Sequence, residues 1–126
     1  DRARIITTEA AEQCARTALP EIQPLTPLTQ LLKNWPADRL LYFADELGGT
    51  PALQAFTEAA SGLTEAQMPA ALLIGPEGGF DDAERAAIRA HPCARPISLG
   101  PRILRSETAA IAALALWMGM AGDWEK

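Results

Sequence analysis

The chain has 126 residues, 48% of them apolar, and a formal net charge of −5. That length makes one domain with enough apolar side chains for a core without disulfides. The acidic balance excludes a surface built mainly from massed Lys and Arg to hold nucleic acid, though not a local basic site. No apolar run reaches the length of a membrane span and no signal peptide opens the chain. Cys14 and Cys93 match no metal-ligand spacing, the pattern of reduced thiols in a cytoplasmic protein.

Residues 3–17 carry alanines, Ile5, Ile6 and Cys14 on an apolar side with Glu9, Glu12, Gln13 and Arg16 interspersed, which predicts a helix. Pro20 and Pro24 bracket a short extended piece. Thr26-Pro27 reads as an N-cap followed by proline at the first helical position, opening a helix to about Lys33. Arg39 to Ala44 is a strand by its aromatic and apolar content. Thr50-Pro51 repeats the cap-and-proline signature, with a helix to about Ala60. Ala70 to Ile74 does not alternate and is expected to be a strand buried on both faces. Asp81 caps the next helix, paired with Glu84 as in a capping box, and Pro92 stops it after His91. Arg95 to Ser98 is a short strand, Leu99 to Arg105 a loop, and a last helix starts near Ser106 and ends near Ala121. Because that helix is apolar nearly all round, it needs cover on every side.

Strands alternating with helices imply an α/β fold with a mostly parallel sheet flanked by helices. Ligands in such sheets sit outside the carboxyl ends of the strands. Three loops leave strands at that end: ADELGGT, GPEGGF and LGPRILRSET. GPEGGF lacks the Lys-Ser/Thr of a P-loop and the spacing of a dinucleotide fingerprint. By itself it fits a strand-to-helix turn as well as a site. Its glycines remove Cβ, so backbone N–H and C=O groups can lie against a flat aromatic ligand. Arg102 and Arg105 read equally as solvated loop charge, and Glu107 and Thr108 as residues suited to a helix N-terminus.

GPEGGF, Gly75–Phe80, followed by LGPRILRSETA, Leu99–Ala109, resembles the motif pair of the ribosomal RNA small subunit methyltransferase E family, S-adenosylmethionine-dependent enzymes of the SPOUT class that make 3-methyluridine. Glu12-Gln13-Cys14-Ala15-Arg16 is similar to that family's EQ-x-x-R helix, and YFADE, Tyr42–Glu46, to its acidic strand end. The resemblance runs through essentially the whole chain. It implies a SPOUT-type α/β domain with a C-terminal deep trefoil knot, an exception to the rule against knotted chains. It implies S-adenosylmethionine bound by Gly75, Pro76, Glu77, Gly78 and Gly79 on one side and by Leu99, Gly100, Ile103, Leu104 and Arg105 on another, with Thr108 near the helix start. A homodimer through the knot region and last helix, small-subunit ribosomal RNA as partner, and neither metal nor membrane complete the expectation. The family carries an N-terminal PUA-like β-barrel and a strand-helix-strand stretch before the EQ-x-x-R helix. This chain starts directly in that helix, so the resemblance implies a single SPOUT domain shortened at its N-terminus.

The implied reaction moves a methyl group from a sulfonium to N3 of a uridine. N3 must lose its proton, and the charge then spreads onto the flanking carbonyl oxygens. An arginine there stabilises that charge, and a carboxylate takes the proton. Arg16 is the first candidate for the cation, set against a plain Glu12–Arg16 helix-face pair. Arg105 is the second candidate. Glu107 is the candidate carboxylate, with Glu77 as its alternative, and His91 has no catalytic role. Two other readings share the residues: a non-catalytic dimeric α/β module that binds a nucleotide or nothing, and a SPOUT methyltransferase acting on another RNA position.

Overall fold

The structure, a computed structural model, describes residues 20–61, 69–76, 78–122 and 124. The helix expected over residues 3–17 lies outside the described residues. Helix α1, Leu28–Lys33, starts one residue later than expected. Thr26 spends its hydroxyl on the Pro24 carbonyl (3.2 Å), so Pro27 takes the cap position and accepts the Leu31 N–H at 3.0 Å. Strand β1, Leu40–Ala44, and a two-residue strand β2, Thr50–Pro51, precede helix α2, Ala52–Ser61. Then come β3, Ala70–Leu73; α3, Asp82–Ala90; β4, Ala94–Ser98; and α4, Ser106–Met120.

The described strands form one parallel sheet in the order β2-β4-β1-β3. Leu40 to Phe43 pair with Ala70 to Leu73, and Leu41 to Ala44 with Ala94 to Ile97. The expected cap-and-first-turn at Thr50-Pro51 is corrected: both residues pair with Ile97 and Ser98 before α2 begins. Gly49 makes this possible, because a Cβ there would sit 2.7 Å from the Pro96 carbonyl carbon and 2.8 Å from the Ile97 nitrogen. Proline is tolerated because β2 is an edge.

Helices cover both faces. Leu40 and Tyr42 point to one side and pack with Ala52, Phe56 and Ala59 of α2, against Leu116, Trp117 and Met120 of α4. Rings of Tyr42, Phe56 and Trp117 meet at centroid distances of 5.1, 5.8 and 5.3 Å. Leu41 and Phe43 point to the other side, where Leu32 of α1 and Ile88 of α3 bury them. The strand enclosed on both faces is therefore β1, not β3 as its composition suggested. All four residues of β3 stay partly exposed, because β3 is an edge of the described sheet and Ala70, Leu72 and Ile74 border an apolar groove against α4. Ala109 and Ala113 are the buried residues of α4, while Ile111 and Leu114 stand 71% and 52% exposed, so this fold covers that helix on one side rather than all round.

The Asp81 box forms in full: its carboxylate accepts the Glu84 N–H at 2.7 Å, and Glu84 accepts the Asp81 N–H at 2.9 Å. At the other end of α3, His91 Nδ1 accepts the Cys93 N–H and Nε2 donates to the Leu32 carbonyl, each at 3.1 Å. This single histidine ties α3 to α1. Cys93 is buried; Cys14 lies outside the described residues.

Candidate functional site

The carboxyl ends of β1, β3 and β4 open on one cleft. Ala44, Asp45 and Glu46 enter it from the turn after β1; Ile74, Gly75, Pro76, Gly79 and Phe80 from the turn after β3. Leu99 to Leu104 enter from the turn after β4, Ser106 and Ala109 from the start of α4, and Arg85 from α3. The two glycine- and proline-rich loops and the ADELGGT loop thus converge, as the alternation of strands and helices implied.

Glycine has a specific use here. Gly79 has φ +75°, and a side chain on it would run into the Glu46 carboxylate across the cleft. A Cβ on Gly75 would press on the Phe80 ring at 3.1 Å. Gly100 has φ +104° and open space where its Cβ would stand. Ser106 joins two walls: its hydroxyl donates to the Gly75 carbonyl at 2.7 Å, fixing the start of α4 on the turn after β3.

Of the residues singled out from sequence, Gly75, Pro76, Gly79, Leu99, Gly100, Ile103 and Leu104 line the cleft. Gly78 is exposed beside it, with nothing within 4 Å of its missing Cβ. Arg105 occupies the N-cap of α4 with φ −64° and ψ 154° and makes no side-chain cap. Glu107 and Thr108 are exposed in the first turn of α4. None of these last four belongs to the cleft lining. Arg16 and Glu77 lie outside the described residues.

Sequence reasoning missed the charged cluster at the cleft floor. Asp45 has a fully buried side chain. Its Oδ1 accepts the Leu47 N–H and Arg85 Nε, both at 3.0 Å; its Oδ2 accepts Arg89 Nε at 3.1 Å and a terminal Arg89 nitrogen at 2.8 Å. Burial alone pushes this carboxyl up. The Leu47 N–H, Arg89 and Arg85 together outweigh it and hold Asp45 below the usual carboxylate range. Two arginines four residues apart on a helix share a face, which is legible in the sequence; a partner forty residues away is not. Glu46 and Phe80 entered the sequence reading only within the motifs YFADE and GPEGGF, and Arg102 only as solvated loop charge; all three line the cleft. Among the described residues no group of three His, Cys, Asp or Glu could hold a metal, and no helix is long and apolar enough to cross a membrane.

Residues 1–118 match the family model for the RNA methyltransferase domain. The chain is 33% identical to the ribosomal RNA small subunit methyltransferase E of Rickettsia conorii over 85% of its own length and 41% of that protein's. The same-named protein of Synechocystis is 36% identical over 91% of this chain and 37% of its own length. The chain thus spans about two-fifths of the curated relatives it matches. Among solved structures, a Legionella pneumophila protein in complex with the bound cofactor SAM superposes with a TM-score of 0.76 at 34% identity, over 92% of this chain and 44% of that one. A ribosomal RNA small subunit methyltransferase E from Neisseria gonorrhoeae, bound to S-adenosyl methionine, reaches 0.82 at 24% identity, over 98% of this chain and 48% of its own, a likeness of fold.

Proposed function

This chain belongs to the RNA methyltransferase domain family, and from that premise we propose that its cleft holds S-adenosylmethionine and serves methylation of small-subunit ribosomal RNA in the cytoplasm, at N3 of a uridine. The observation that carries the reading is the closure of three strand-end turns on one cleft walled by bare backbone.

The residues present fit that molecule. Gly75 and Gly79 let the Phe80 ring and the Glu46 carboxylate lie against bare backbone, Gly100 leaves open space where a Cβ would stand, and Ile74, Phe80, Leu99 and Leu104 supply apolar walls for a flat purine. Glu46 and Arg85 offer both signs of charge to a zwitterionic amino-acid end. When bound, the cofactor supplies an electrophilic methyl group on a sulfonium sulfur. The chain's own task is to hold the acceptor in line and to manage the proton of N3. In this reading Arg16 stabilises the charge that spreads over the uracil oxygens, Arg105 contacts the base or its phosphate, and Glu107 accepts the proton, with Glu77 its alternative. The base must leave its stack for any of them to reach it.

The same reading gives the chain the SPOUT trefoil knot, supported by the Ser106 bond that ties the segment after β4 to the turn after β3. It also makes the chain a homodimer. The exposed Ile111 and Leu114 on α4, beside the groove along β3, support that.

Calorimetric titration of the purified protein with S-adenosylmethionine and with S-adenosylhomocysteine should give saturable one-site binding. Gly100→Val should abolish it, since a branched side chain at φ +104° strains the turn and fills the open face. Small-subunit RNA treated with the protein should yield 3-methyluridine on nucleoside mapping. Binding of neither compound would favour the non-catalytic module, and a different methylated nucleoside would move the target.

A further inference from the structure

Arg89 does not line the cleft, and its side chain is 44% exposed on the outer part of α3. An arginine so placed would ordinarily be a solvated surface charge. Its guanidinium nevertheless grips two points of the turn after β1: the Asp45 carboxylate, through two nitrogens, and the Gly48 carbonyl at 2.8 Å. Its carbon lies 5.8 Å from the centre of the Phe43 ring, under the same turn.

Besides Arg89, Asp45 bonds to the sheet, to the cleft wall and to the turn that shapes the cleft. Its backbone extends the sheet, the N–H donating to the Ile97 carbonyl at 3.1 Å, and its carbonyl receives the Gly48 N–H at 3.1 Å. Its Oδ1 holds the Leu47 N–H and the Nε of Arg85. Arg85 stands in the cleft wall with an 11% exposed side chain. Glu46, between Asp45 and Leu47, faces Gly79 across the opening. With one oxygen of Asp45 given to Arg85 and the other to Arg89, the carboxylate has one orientation in which all its bonds are made.

We propose that Arg89 is a positioning residue for the cleft: by fixing the Asp45 carboxylate and the Gly48 carbonyl, it sets the Arg85 guanidinium and the Glu46 turn in the geometry that admits the ligand. As a statement about ligand affinity this rests on the cofactor reading above. The positioning itself is visible without any ligand. Removing Arg89 leaves the Arg85–Asp45 pair in place but frees the second oxygen and the Gly48 carbonyl, so the turn gains alternative conformations that binding must then select against.

Arg89→Met keeps an unbranched side chain and removes every bond; Arg89→Lys keeps the charge without the fork. NMR of the unliganded protein should show Arg85 Nε–H and the Leu47 amide exchanging with water about tenfold faster in Arg89→Met. The affinity for S-adenosylhomocysteine should fall about tenfold by calorimetry, the effect expected of one charge-assisted bond. Arg89→Lys should recover part of both. Arg89→Met should also melt lower than the parent, because the buried Asp45 carboxylate loses two bonds, so exchange and affinity are read well below its melting temperature. Parent-like exchange in Arg89→Met overturns the proposal, as does faster exchange with undiminished affinity. If the parent itself fails to bind S-adenosylhomocysteine while the exchange still quickens, the cofactor reading falls and the positioning of the cleft wall stands.

Discussion

Asp45 is the one buried charged residue among those described, and its partners more than offset the cost of burial, so its charge state bears directly on stability. Its folded carboxyl titrates below the value of about 3.9 expected in the unfolded chain. A group with a depressed folded pKa stabilises above its unfolded value, and that contribution fades as pH falls through the folded one. Asp45→Asn should therefore cost roughly 3 kcal/mol near neutral pH, because two guanidinium groups lose a buried counter-charge. The gap to the parent should narrow steadily below about pH 4 as the parent's own carboxylate protonates. Urea denaturation of both proteins across that range checks this, and a gap that stays constant would contradict the assignment. The sequence marks Asp45 only as part of the acidic strand end YFADE. Its importance comes from Arg85 and Arg89, which only the packing of α3 beside the end of β1 brings to it.

At the scale of elements, local signals were read well where they rest on local chemistry. The Asp81–Glu84 box needs only a three-residue span, so it could be foreseen and it forms in full. Asp81→Ala should cost about 1 kcal/mol of stability, seen as a lower melting temperature, and Asp81→Ser should restore most of it. What local pattern cannot tell is position in the sheet. β3 is apolar throughout and suggested enclosure on both faces, yet β1 takes the centre and β3 an edge. Thr50-Pro51 carries a helix-start signature but pairs with β4, because Gly49 lets the chain approach the Pro96–Ile97 peptide. Gly49→Ala should thus destabilise by about 1–3 kcal/mol, since the obstructing atoms are backbone and cannot swing away. A melting temperature equal to the parent's would show that the β2–β4 pairing is dispensable. Helix α4 raises the opposite question, cover rather than crowding. Leu114→Glu lies on its exposed side, so it should change folding stability by no more than about 0.5 kcal/mol. Sedimentation velocity should nonetheless show a shift toward monomer if this face joins two copies.

For the molecule as a whole, the alternation of strands and helices was enough to foretell a parallel sheet and a cleft at the carboxyl ends, because few topologies satisfy short right-handed connections. The partner is harder to infer, since a net charge of −5 opposes a polyanion over most of the surface. Any contribution of this chain to RNA binding must therefore be local, and the cleft rim offers it. Arg102 is exposed at the rim, and Arg105 is exposed beside it at the start of α4; neither forms an ion pair among the described residues. By contrast Arg85 and Arg89 are committed to Asp45, so they have little charge to spare for phosphate. The double substitution Arg102→Gln, Arg105→Gln should weaken RNA binding and flatten the slope of log affinity against log salt by about one for each phosphate no longer neutralised. Affinity for S-adenosylhomocysteine should fall much less, because the glycine-lined walls and the Asp45 cluster are untouched. Filter binding over a salt series, run beside calorimetry with the cofactor product, separates the two. An unaltered salt slope would mean that RNA is held elsewhere, and the arginines of the rim would lose their place in the proposed reaction.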